Sequence, residues 1–276
     1  IKTKLNLGVG LLFILIIVLL DVSLGVGAQQ IQSDSIKIQQ KTIDTTISTS
    51  SFYPTESVKS PVKIPAIVIP SAMIAFGAFT MNNHNENSLN EKIQDAVWEK
   101  NPHKLNHADN FLQIAPAASV YLLNAFGIKS QHNFRDRTMI FLMSSIFANA
   151  IVFPFKKMTN QLRPDSSNHL SFPSGHTAEA FVSAEFMRME FKDISPWYGV
   201  AGYAMAAATG YLRMYNNKHW FSDVVAGAGV GILSAKLAYW LYPKIQHKLF
   251  KDKPSHTFIS PNLRQGNFGI TLFHRF

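Results

Sequence analysis

The sequence predicts an all-α protein with a six-helix core bundle, embedded in a membrane. Three observations carry the prediction. Six apolar segments of helical length lie between residues 64 and 242, and polar or proline-bearing stretches separate them. The one alternating stretch, residues 268–276, accounts for at most a single strand, and one strand cannot form a barrel.

Lys2 and Lys4 precede residues 11–20, all Leu, Ile, Val or Phe, and Val26-Gly27-Ala28 then supplies small residues. Residues 1–28 therefore read as a secretory signal cleaved before Gln29. The competing reading is an uncleaved anchor over residues 7–28, with Asp21 inside it. Residues 29–60 are rich in Gln, Ser, Thr, Lys and Asp, which predicts a loosely ordered polar arm.

The helical domain is expected over residues 61–245. Its segments are 64–80 with Pro65 and Pro70, 111–128 with Pro116, 138–155, 177–189, 197–215 and 221–242. A bilayer span needs about 20 apolar residues. The segment 177–189 is shorter and carries Glu179 and Glu185, so a buried soluble core is the other reading of the bundle. The last segment has Gly227 and Gly231 at a spacing that lets helices approach closely, and Tyr239, Trp240 and Tyr242 where an interfacial belt would lie. Between the first two segments, Leu89, Ile93, Ala96 and Val97 have the spacing of a short amphipathic helix. Residues 246–276 form a C-terminal tail.

Charge placement predicts an orientation. Lys129, Arg135 and Arg137 precede the third helix, and Lys244, Lys248, Lys251 and Lys253 follow the last. The positive-inside rule puts both groups in the cytoplasm and the opposite end of the bundle outside. A cleaved leader followed by six spans gives the reverse. The two readings conflict, and a re-entrant first segment or a non-spanning fourth one would reconcile them.

The chain has 26 Lys and Arg against 17 Asp and Glu, a formal net charge of +9, but no basic tract. That excess suits anionic phosphates or a membrane surface rather than nucleic acid. The absence of cysteine excludes disulfides and thiolate metal sites.

Three blocks gather the chemistry. Lys156 with Arg163-Pro164, and later Arg213, supply three cations that can neutralise an oxyanion while leaving its attacking and leaving atoms free. Pro173-Ser174-Gly175-His176 is a turn before a helix, where the Ser174 hydroxyl and the Gly175 amide can face an anion and His176 can give a proton to a leaving oxygen. His219 and Asp223 lie four apart on one helical face. Asp223 can fix the tautomer of His219 and leave its other nitrogen to attack phosphorus.

The pattern Lys156-x6-Arg163-Pro164, Pro173-Ser174-Gly175-His176 and Arg213-x5-His219-x3-Asp223 resembles the three-part signature of the type 2 phosphatidic acid phosphatase family, which includes vanadium haloperoxidases and bacterial acid phosphatases. The resemblance implies that Lys156, Arg163, Ser174, Gly175 and Arg213 bind phosphate. It further implies that His219 becomes a phosphohistidine, that Asp223 orients it and that His176 is the general acid. It also implies that no metal or other cofactor is needed. Leu212 departs from the family, which commonly has Ser before the third-block arginine. Asp109-Asn110, the run Phe111 to Pro116, and Asn216 to Trp220 are similar to envelope members from Bacteroidetes-like bacteria, some of them resembling lipid A phosphatases.

The expected function is therefore metal-independent hydrolysis of a membrane lipid phosphate, at a bacterial inner membrane with the site facing the periplasm. The expected partners are that lipid and its membrane. Three other functions compete: a soluble periplasmic acid phosphatase, a vanadium-dependent haloperoxidase, and a non-catalytic binder of anionic lipid.

Overall fold

The computed structural model describes residues 65–250, apart from 83, 84, 86, 87, 101 and 102, and the strands 257–264 and 267–274. The leader and the polar arm fall outside the described residues.

Six long helices form the bundle: α1 (Pro65–Thr80), α4 (Ala115–Ala125), α5 (Phe134–Thr159), α6 (Gly175–Phe191), α7 (Pro196–Tyr215) and α8 (Phe221–Phe250). Two short helices sit in the connector, α2 (Leu89–Gln94), continued by a π-helical turn (Asp95–Glu99), and α3 (Asp109–Leu112). The starts follow from the sequence. Ser88, Asn133, Ser174 and Ser195 each cap a helix by accepting a backbone N–H with the side chain, which satisfies one of the free donors of the first turn.

Helix α6 is the centre of the bundle, with Ala180, Phe181, Val182, Ala184 and Phe186 all fully buried. Helix α8 lies directly against it. A Cβ on Gly227 would stand 2.6 Å from the Ser174 carbonyl oxygen, and one on Gly231 would collide with the Ala178 carbonyl and Phe181. The small-residue spacing thus brings α8 onto α6, backbone to backbone.

The six helices alternate in direction. Thr80, Asn90 and Ser222 meet at one end, where the α5 C-terminus and the α6 N-terminus also lie. At the other end Asp136 accepts from Tyr242 and Gln246, and the Gln131 amide donates to the Glu190 carbonyl. The two predicted positive groups thus begin on the same end. Arg137, however, is only 6% exposed, donates to Ser130 and lies over the rings of Tyr121 and Phe134.

Two readings need correction. Tyr239 and Tyr242 do not form an interfacial belt: one helical turn apart, both face inward, donating to Glu190 and Asp136, and only Trp240 stands half exposed, under Lys244. The tail holds two strands rather than one, β1 (Thr257–Arg264) and β2 (Asn267–His274), paired antiparallel with Thr257 opposite His274. Pro261, a residue that weakens a strand reading, hid the first. The core is all-α, and the two-stranded sheet is an addition to it.

Among the described residues, two helices are long and apolar enough to cross a membrane by length and composition, α5 and residues Phe221–Gln246 of α8. They differ in burial: 22% of the apolar window of α5 is buried within the protein, against 61% for α8.

Candidate active site

The eight predicted residues meet at the end of the bundle where α5 finishes and α6 and α8 begin. Lys156 lies in the last turn of α5. Its ammonium donates to the carbonyls of Leu170 and Ser171, and its stem passes 4.0 Å from where a Gly175 Cβ would lie. The loop after α5 starts at Asn160, which takes the left-handed conformation Asn tolerates, and returns through Arg163 to Ser171. Arg163 and Arg213 each have a buried Nε–H with no partner among the described residues.

Ser174 caps α6 from a fully buried position. Its hydroxyl accepts from the Thr177 amide and hydroxyl, and its own amide donates to the Asp223 carbonyl. Gly175 and His176 open the helix, where backbone N–H groups have no intrahelical acceptor.

Asn217, also left-handed, breaks α7 after Arg213 and brings the chain to His219 just before α8. The His219 Nδ1 lies 3.3 Å from Asp223 Oδ2. That oxygen also accepts from the Ser171 hydroxyl and, at 2.9 Å, from the Trp220 amide. An aspartate with one oxygen so held is fixed in orientation, and it holds the imidazole with it. His219 Nε2 is then the nitrogen left to act.

Electrostatics favour a neutral His219. Burial, then the charges of Lys156, Arg213 and Arg163, put its pKa well below the usual imidazole range. Burial, then Arg213, lowers His176 to about 4, with Asp109 opposing. Burial and Arg213 also lower Arg163 from its usual value. These groups crowd like charge into one small volume, an arrangement that a bound oxyanion relieves. Among the described residues, no group of three or more His, Asp or Glu side chains gathers to hold a metal.

Sequence reasoning assigned no role to three residues that the structure brings here. Ser171 fixes Asp223. Asp109, 1% exposed, forms an ion pair with Arg213. Asn110 accepts through Oδ1 from His176 Nε2, 3.0 Å away. Ser171 lies two residues before the second block, whereas Asp109 and Asn110 lie 104 and 66 residues from their partners.

Residues 137–247 match the family model described as the PAP2 superfamily. The chain is 35% identical over 159 residues to "Lipid A 1-phosphatase" of Porphyromonas gingivalis, covering 57% of this chain and 35% of that protein. It is 33% identical over 104 residues to "Bacitracin transport permease protein BcrC" of Bacillus licheniformis, covering 38% and 49%. It is 32% identical over 83 residues to "Lipid A 4'-phosphatase" of Bacteroides thetaiotaomicron, covering 30% and 36%. The chain spans between about a third and a half of the length of these relatives. The matched segment holds the second and third blocks and Lys156 and Arg163 of the first, and by it residues 137–247 belong to the PAP2 superfamily.

Proposed function

We propose that this protein hydrolyses the phosphomonoester of a membrane lipid through a phosphohistidine, with no metal ion. The observation that carries the reading is the held pair: His219 Nδ1 on an Asp223 oxygen that Ser171 and the Trp220 amide fix, beside two guanidinium groups with unpartnered buried N–H.

In this mechanism Lys156, Arg163, Arg213, Ser174 and the Gly175 amide bind the phosphoryl oxygens. His219 Nε2 attacks phosphorus as the bond to the leaving oxygen breaks, and that oxygen takes a proton from His176. Positive charge on His219 is stabilised by Asp223. Water then attacks the phosphohistidine, giving its proton to His176, and phosphate leaves with both histidines restored. The dianionic substrate supplies the charge that lets His176 carry its proton at neutral pH.

Membrane embedding is supported by exposed apolar surface. Leu142, Ile146, Phe153 and Met158 line α5, and Val68 and Phe79 lie on α1, all at least half exposed. Exposed apolar surface of that kind suits lipid. At about 39 Å, α5 exceeds the roughly 30 Å hydrocarbon core. The helical domain, 61–245, would be the catalytic unit. The names of two relatives favour a phosphorylated glycolipid of the lipid A type as substrate.

The test is phosphate release by the purified protein in detergent from a panel of lipid phosphates, with a chelator present and then with orthovanadate. The reading expects turnover with chelator, inhibition by vanadate, and an acid-labile phosphoenzyme that His219→Ala cannot form. Full activity in His219→Ala would end it. Orientation has its own test, since the chain has no native cysteine. A periplasmic site expects Asn85→Cys to react with an impermeant maleimide in intact cells and Asp193→Cys to react only after permeabilisation.

A further inference from the structure

The connector before α4 reaches the catalytic end at several points. The His103 ring stacks on Tyr215, centroids 3.5 Å apart, and its Nε2 lies 2.7 Å from the Tyr215 carbonyl. The Asn106 amide donates to the Asn216 side chain, which returns a bond to the Asn106 carbonyl. Asp109 pairs with Arg213, and of the three phosphate-facing cations Arg213 is the one with a carboxylate partner among the described residues. All five contacts fall on the last turn of α7 or the residue after it. Residues 103–109 are thus a clasp on the helix end that presents Arg213.

That clasp determines where Asn110 stands. Its Oδ1 lies 3.0 Å from His176 Nε2, and an oxygen acceptor there requires the proton on Nε2. The backbone of Asn110 is itself fixed, donating to the His107 carbonyl and accepting from Gln113. In the imidazolium, Nε2–H stays on Asn110 and Nδ1–H remains for the leaving oxygen. Without the acceptor, the partly buried ring loses the contact that fixes which nitrogen it presents.

We infer that Asn110 is a positioning residue for proton transfer: anchored through Asp109 and Arg213, it holds His176 so that Nδ1 faces the leaving group. This rests on the phosphohydrolase reading above. A general acid matters most where the leaving oxygen is a poor one, which separates this role from a structural one.

The experiment uses the full chain in detergent micelles with two micelle-soluble substrates, dodecyl phosphate and a dodecyl-substituted nitrophenyl phosphate. Asn110 is exposed, so Asn110→Leu, close in size and without an acceptor, should fold. Its kcat on the alkyl ester should fall about tenfold while its kcat on the nitrophenyl ester stays within about twofold. Asn110→Asp, which keeps an oxygen in place, should recover most of the alkyl-ester rate. Equal losses on both esters, no loss on either, or an Asn110→Asp variant as poor as Asn110→Leu would overturn the inference while leaving the phosphohydrolase reading intact. A wild-type protein that cleaves neither ester would overturn both.

Discussion

The two ends of this bundle treat buried carboxylates differently. Away from the site, Glu185 is fully buried and both of its oxygens are used: Arg188 and Lys236 reach one, Arg188 and Tyr203 the other. Glu190 likewise accepts from the His132 amide and Tyr239, and meets the His132 ring. At the site, by contrast, lie four of the seven buried side-chain polar atoms that lack a partner among the described residues: Asp109 Oδ1, Arg163 Nε, Arg213 Nε and Asp223 Oδ1. Leaving such a group unpaired costs about 1–3 kcal/mol, more for a charged one. Satisfied charge holds a fold together, whereas unsatisfied charge at one place is a binding capacity held in reserve.

Mutations at each end can break that contrast. The largest effect belongs to His219→Ala, expected to lower kcat about a thousandfold or more, measured as phosphate release from the best lipid substrate. Arg213→Gln removes one of the two guanidinium donors and should cost about a hundredfold in kcat/KM, with orthovanadate inhibition weakened in step. Ser171→Ala leaves Asp223 with fewer donors and should lower kcat about tenfold with little change in KM. A loss as large as that from Asp223→Ala would mean that Ser171 does more than hold the aspartate.

A smaller effect is expected in pH dependence. The cations disfavour a proton on His219, so removing one must raise its pKa. Arg163→Gln should therefore move the acid limb of kcat/KM to higher pH than in the wild type, and movement to lower pH would contradict the electrostatic reading. The smallest effect on catalysis is expected from Glu185→Ala. It strands Arg188 and Lys236 and should cost about 3–5 kcal/mol of stability by denaturant titration, with kcat of the folded fraction unchanged.

The same contrast explains what could be read from the chain beforehand. The helices were legible because apolar length and proline placement are local, and the three blocks because each is a short run of chemically demanding residues. Asp109 and Asn110 were not legible in their roles, since their partners lie far along the chain and no periodicity links them. Tyr239 and Tyr242 were misread because an interfacial ring and an inward hydrogen-bonding clasp have the same composition. Only the angle of each residue around α8, relative to Glu190 and Asp136, distinguishes the two.

The contact of Gly227 with the Ser174 carbonyl bears on how this site can change over time. The turn that bears His176 and the helix that follows His219 meet there through main chain, with no room for even a methyl group. Their spacing is consequently insensitive to which side chains line the rest of the bundle. Residues elsewhere on the bundle can therefore change without disturbing the spacing of His176 and His219. Enlarging Gly227 would remove that freedom in a single step.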